Sequence, residues 1–257
     1  MAGSEHPLAT LFAPRSIAIV GATEKSPWSG FIARNFRDFQ YPGKVFAINR
    51  GGTDVLGMKG YSSCQSVGEP IDVAFITVPQ SAVPDALEDA AAAGVRNAVI
   101  LTSGYGEAGA TGIAMQAELL DRARRLGMNI WGPNSLGFNN MSARTPVSAI
   151  PAVLPLLEPR IAIVSQSGAT ASELNEFAHS QNIGTSFVAA TGNEGQLSLS
   201  DVVDYLGDHA ETRAIAVFAE SIRNPARFEQ AARRARAAAK PIVILKIGRS
   251  ELATEVA

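Results

Sequence analysis

The sequence predicts an α/β fold built on parallel sheets, and three observations predict it. Short β-branched apolar runs alternate with Ala-rich helical stretches almost throughout. The phrase RSIAIVGAT at 15–23 is echoed by RIAIVSQSGAT at 160–170. Four prolines between 146 and 159 break the alternation once. Strands buried on both faces read as unbroken apolar runs, and the helices between them supply the crossovers that parallel pairing requires.

In the first half, strands are expected near 17–20, 44–48, 72–78, 97–102 and 128–131, with helices near 27–39, 81–93 and 111–126. The first of these helices has a start signal: Ser26 as N-cap, Pro27 at the first helical position, and Trp28, Phe31, Ile32, Phe36 and Phe39 on one face. Proline lacks the N–H that a ladder or helix interior uses, so the Pro-rich stretch reads as a linker at 147–159 between a domain of residues 1–146 and a second of 160–257. Beyond it the alternation restarts, with strands near 160–164, 185–190, 213–219 and 241–246 and helices near 169–181, 198–208 and 224–239. Four such repeats make a flavodoxin-like domain. The last residues, GRSELATEVA, read as a loop with Ser250 at an N-cap and a helix just beginning, so the chain is expected to continue or to be completed by another chain.

Composition narrows the function classes. A net charge of -2 provides no broad basic field for nucleic acid, and the arginines of AARRARAAAK (231–240) fall on a solvated helix face. No run approaches the roughly 20 apolar residues that span a bilayer, and no secretory pattern opens the chain. Cys64 is the only cysteine, which precludes an intrachain disulfide, and a cytoplasmic location is expected.

Two strand-to-helix turns carry the chemistry. Gly21, Ala22 and Thr23 form a small-residue turn that lets backbone N–H groups approach a phosphate. Only the first glycine of the dinucleotide fingerprint is present, and the second strand ends in Asn49-Arg50 where an NAD site carries an acid. Arg50 suits a ribose phosphate, as in NADP or coenzyme A, ahead of the alternative of a packing turn with a surface arginine. GTDVLGMK at 52–59 misses the P-loop pattern at Met58. The second turn, Ser165 to Ala169, presents hydroxyls and N–H groups at a helix N-terminus, which favours an anion. Neither Ser165 nor Ser167 fits a nucleophile elbow, and His179 lies 12 residues beyond Ser167 on the same expected helix, out of its reach. Further polar loops follow three other strands: VPQSAV, TSGYGE and GPNSLGFNN. In open α/β sheets, ligands bind at that edge.

Taken in order, SIAIVGAT, AINR, DVAFITVP, SGYGE, GPNSLG, VSQSGA, TGNEG, FAES and KPIVILKIGRS resemble the NDP-forming acyl-CoA synthetases, whose α part is similar to the succinyl-CoA synthetase α subunit. The resemblance implies a Rossmann-like CoA-binding domain followed by a ligase domain. It also implies the reaction acid + ATP + CoA = acyl-CoA + ADP + phosphate, through an acyl phosphate and a phosphohistidine. By it, Gly21, Ala22, Thr23, Asn49 and Arg50 hold the ADP part of CoA, Pro79 lines the same crevice, and Asn134 lies near the thiol. Ser165, Ser167 and Gly168 hold the transferable phosphate, and Glu220 orients the imidazole that carries it. Read alone, Glu220 is an acid at a strand end. The implied partners are CoA, a carboxylic acid, phosphate and an ATP-grasp domain or subunit holding ATP/ADP with Mg2+. No metal site, nucleic acid or membrane is implied, and homo-oligomerisation stays open. The family's phosphorylated histidine follows the GRS loop, and His6, His179 and His209 do not match it, so this chain alone is expected to be inactive. The alternatives are an NADP-binding oxidoreductase or nucleotide-sensing module, and a CoA-responsive regulatory domain.

Overall fold

In the computed structural model the described residues are 6–247. A short helix α1 (Ala9–Phe12) precedes β1 (Ser16–Val20), α2 (Pro27–Asp38), β2 (Lys44–Ile48), β3 (Lys59–Tyr61), β4 (Val73–Ile76), α3 (Val83–Ala92), β5 (Asn97–Ile100), α4 (Ala110–Leu126) and β6 (Asn129–Trp131). Then come β7 (Gly137–Asn140), β8 (Thr145–Ser148), β9 (Ile161–Ser165), α5 (Gly168–Ser180), β10 (Thr185–Ala190), α6 (Leu199–Asp208), β11 (Ala214–Ala219), α7 (Pro225–Ala237) and β12 (Ile242–Lys246). The expected end of the chain, with its Ser250 cap, lies outside the described residues.

The first sheet runs β3-β2-β1-β4-β5-β6 and is parallel throughout. The second runs β12-β11-β9-β10-β7-β8; its first four strands are parallel, while β7 and β8 run antiparallel. In each sheet an apolar strand, β1 or β9, is central and fully covered, which is why both read as unbroken hydrophobic runs.

Three expectations change. Sheet pairing places the change of sheet in the loop at 132–136, since β7 and β8 pair in the second sheet, whereas the expected first domain reached 146 and the expected linker began inside β8. Phe12 of α1 sits among Trp131 of β6, Phe138 of β7, Phe187 of β10 and Tyr205 of α6, with ring centroids 5.5, 5.1, 5.4 and 4.6 Å away, so the N-terminal helix packs into a core shared by both sheets. Next, Ser26 holds the N-cap position of α2 and Pro27 its first turn, but the serine side chain makes no cap bond. Finally, Ile32 and Phe36 on α2 and Phe39 just past its end are buried, while Trp28 and Phe31 stand 40% exposed. Elsewhere, Arg234 on the solvated face of α7 pairs with Asp204 and Asp208. Among the described residues, no helix is long and apolar enough to cross a membrane.

Candidate functional site

Both sheets turn the carboxyl ends of their parallel strands toward two adjoining clefts. The larger, of about 1240 Å³, lies over the turn after β1 and is bounded by Gly21, Ala22, Thr23, Asn49, Arg50 and Pro79. Gly21 has φ 97°, and a Cβ there would stand 2.8 Å from Val78 Cγ1, so conformation and space both demand glycine.

The turn's own N–H groups do not face this cleft as expected. Gly21 and Ala22 both donate to the Ile48 carbonyl, at 2.9 and 3.2 Å, and Thr23 donates to Ser29 Oγ at 3.1 Å. The first two bonds tie the turn to β2 and the third ties it to α2, while the first-turn N–H groups of α2, at Trp28 and Ser29, have no helical carbonyls to receive them. The Asn49 side chain is likewise engaged: its amide donates to Thr53 O at 2.8 Å and its oxygen accepts from Thr53 N at 3.2 Å, closing the 49–53 loop. Arg50 is exposed at the rim.

The smaller cleft, of about 760 Å³, lies between the two sheets and brings together Pro79, Asn134, Ser167, Gly168 and Glu220. Thr77, Val78 and Pro79 line both clefts, so one wall after β4 runs from the Arg50 end to the Glu220 end. Ser167 is the N-cap of α5 and accepts from Thr170 N. Ser165 is buried beneath it: its Oγ accepts from Ser167 N at 3.0 Å and donates to Ser167 O at 2.9 Å. Ser165 therefore shapes the turn and does not line the cleft, unlike Ser167 and Gly168. The N–H groups at Gly168 and Ala169, the first two helical positions, lack helical acceptors and stand on the cleft wall. Gly168 admits the approach of Leu136, whose Cδ1 would lie 2.5 Å from an added Cβ.

Two loops, GPNSLG and TGNEG, dock to form the cleft floor. Asn193 N donates to Pro133 O at 3.0 Å, Gly195 N to Gly132 O at 2.9 Å, and Asn134 Nδ2 to Asn193 Oδ1 at 3.2 Å. Asn193 also donates to Glu107, joining the 103–107 loop to the second sheet. Sequence reading singled out neither Glu107 nor Asn193, although both lie in quoted phrases. Burial works to raise the Glu107 carboxyl, but hydrogen bonds from Asn193 and the Gly104, Glu107 and Tyr105 backbone prevail and hold it below the usual range. Glu194 behaves oppositely. It is buried, and burial pushes its carboxyl up against the opposing Thr191, Leu199 N–H, Gln166 and Arg223.

His6, His179 and His209 engage Asp204, the Pro155 carbonyl and Thr212, and none lines the cleft. Among the described residues, no cluster of three or more His, Cys, Asp or Glu is placed to hold a metal. Among the described residues, Glu107 and Glu220 are the charged groups of the smaller cleft, and no Lys or Arg lines it. An anion there would rely on backbone N–H groups and on groups from outside these residues.

Comparison with known proteins agrees with this architecture. A family described as "CoA binding domain" matches residues 15–141, and one described as "Succinyl-CoA ligase like flavodoxin domain" matches 158–257. The chain is 35% identical over 99% of its length to a trans-feruloyl-CoA synthase from an unknown prokaryotic organism, covering 36% of that protein. It is 32% identical over 97% of its length to the α subunit of the ADP-forming acetate–CoA ligase I of Pyrococcus furiosus, covering 54% of it. The dinucleotide forming acetyl-coenzyme A synthetase 1 of Ca. Korarchaeum cryptofilum, solved in complex with phosphate and ADP, superposes with a TM-score of 0.89 at 33% identity, over 98% of this chain and 54% of that one. The chain thus spans about a third to a half of the length of these relatives. With a CoA-binding domain followed by a succinyl-CoA ligase-like domain, it belongs to the NDP-forming acyl-CoA synthetase family.

Proposed function

We propose that this chain is the CoA-binding α portion of an acid–CoA ligase that converts acid, ATP and CoA into acyl-CoA, ADP and phosphate. The observation that carries the reading is the continuous wall of Thr77, Val78 and Pro79 shared by two clefts, one rimmed by Arg50 and one holding Ser167, Gly168 and Glu220. A long ligand with a phosphorylated end and a reactive end fits such a pair. The ADP part of CoA occupies the larger cleft, with Arg50 on its ribose phosphate and the diphosphate toward the first turn of α2. The pantetheine follows Pro79, and the thiol comes to rest near Asn134.

At the smaller cleft, the Gly168 and Ala169 N–H groups and the Ser167 hydroxyl hold a phosphoryl group, while the Glu220 carboxylate accepts a hydrogen bond from one nitrogen of an incoming imidazole. That fixes the tautomer and leaves the other nitrogen to attack phosphorus. The imidazole, the ATP-grasp part and its ATP and Mg2+ come from segments outside the described residues. The relatives are named for ferulate and for acetate, so what they share is the carboxylate.

Calorimetry tests this reading. CoA should bind the chain with a micromolar-range Kd. Arg50→Glu removes a charge-assisted contact of about 1.5–3 kcal/mol, so binding should weaken about 10–100-fold. A folded sample that ignores CoA, or that binds NADPH more tightly in the same titration, overturns it.

A further inference from the structure

We propose that Gln166 is a positioning residue that sets the backbone bearing the Glu220 carboxylate beside the anion-binding turn; this rests on the reading of Glu220 given above. Gln166 lies between Ser165 and Ser167 and is buried. Its Oε1 accepts from the backbone N–H of Glu220 at 2.7 Å and of Ser221 at 2.9 Å. Its Nε2 donates to the Ser221 carbonyl at 3.0 Å and lies 3.3 Å from Ser221 Oγ. Two N–H donors converge on one amide atom, so that atom must be oxygen, and the amide orientation is fixed by chemistry.

The consequence is geometric. Glu220 is exposed, and its carboxylate has no hydrogen-bond or ion-pair partner among the described residues, so its place depends on its backbone. That backbone, at the end of β11, is held by a residue whose chain neighbour, Ser167, begins the anion-binding helix. A single side chain therefore spans the two halves of the site. Gln166 is itself held from behind: its carbonyl accepts from Gly192 N at 3.2 Å. A residue chosen only to fill the end of the sheet would not need to receive both successive N–H groups of the loop that bears the acid.

The test uses the complete ligase, this chain together with the C-terminal and ATP-grasp portions that the proposed function requires. Gln166→Met keeps the volume and removes all four contacts. Misplacing a reacting group by about 1 Å costs on the order of 10²-fold in rate, so kcat should fall by about that factor while the KM for CoA stays within about twofold. The decisive comparison is the double variant with Glu220→Gln. If Gln166 acts through Glu220, adding Gln166→Met to Glu220→Gln costs little more; a full further loss means a general structural role and overturns the proposal. A fully active Glu220→Gln removes the reading of Glu220, and the positioning role falls with it. An impaired Glu220→Gln beside an unimpaired Gln166→Met overturns the positioning role alone. A measurement on the unsubstituted protein needs no variant to fold: the Glu220 and Ser221 amides should exchange with solvent more slowly than the Arg223 amide. Unprotected amides at 220 and 221 overturn the clamp.

Discussion

Gly192→Ala probes the docking of the two loops that floor the smaller cleft, and Gly127→Ala is its internal control. Both glycines are left-handed, with φ 64° and 65°. At Gly127, which follows α4, an added Cβ meets nothing within 4 Å. At Gly192 it would stand 2.5 Å from the Asn134 carbonyl oxygen and 2.6 Å from that of Pro133, both backbone atoms and both inside the 3.0 Å that real Cβ contacts respect. The left-handed conformation costs either alanine about 1–2 kcal/mol. At 192 the carbonyls must also recede, which strains the bonds from Asn193 N to Pro133 O and from Asn134 Nδ2 to Asn193 Oδ1. Each is worth about 0.5–1.5 kcal/mol. Gly192→Ala should therefore cost about 1–3 kcal/mol more than Gly127→Ala. At about 2–4 °C per kcal/mol for a chain near this size, its Tm should fall roughly 2–12 °C further. Thermal unfolding followed by far-UV circular dichroism, with both variants at one pH, reads the difference. Equal Tm shifts would refute the reasoning, because they would show that the loops do not press together at Gly192.

Other outcomes follow from burial. Burial raises the Glu194 carboxyl, so the native state holds that proton more tightly than the unfolded chain does. Stability from this group is complete below the unfolded value of about 4.3 and declines as pH climbs toward the native one; Glu194→Gln should gain on the wild type in Tm between pH 4 and 7, and a pH-independent difference would contradict it. Phe12→Ala empties a fully buried site ringed by four aromatic side chains, so chemical denaturation should show a loss of about 3–5 kcal/mol; a loss under about 1 kcal/mol would mean that α1 is not seated in the core shared by the two sheets. Cys64 is buried and its thiol is pushed up by that burial and by Asp89, so a thiol reagent should label it only after unfolding; rapid labelling of the folded protein would count against the burial.

The strands of both parallel sheets were legible because their residues are apolar on both faces, and IAIV, VFAI, VAFI, NAVI and IAIV carry that signal locally. β7 and β8 were not legible, since GFNN and TPVS look like turns. Asn139 and Asn140 are buried there because Asn139 donates to Ile150 O and Asn140 to Phe12 O, the latter across 128 positions of sequence. Such partners carry no periodicity. The same limit applied at the site. The small-residue turn at Gly21 was visible, but only the fold shows that its N–H groups are consumed by Ile48 and Ser29. Ser165 and Ser167 looked alike in sequence, and the burial of the first and partial exposure of the second follow from which one ends β9 and which one caps α5.

By itself the sequence determined the α/β class, the parallel strand set, the two strand-to-helix turns and the family, because these depend on local apolar runs, glycine and proline chemistry and an ordered set of short phrases. Tertiary structure decided where one sheet gives way to the other, which polar atoms remain free for a ligand, and that Gln166 faces the backbone of Glu220. Those outcomes depend on contacts between residues tens of positions apart, and burial and hydrogen bonding at that range leave no pattern along the chain.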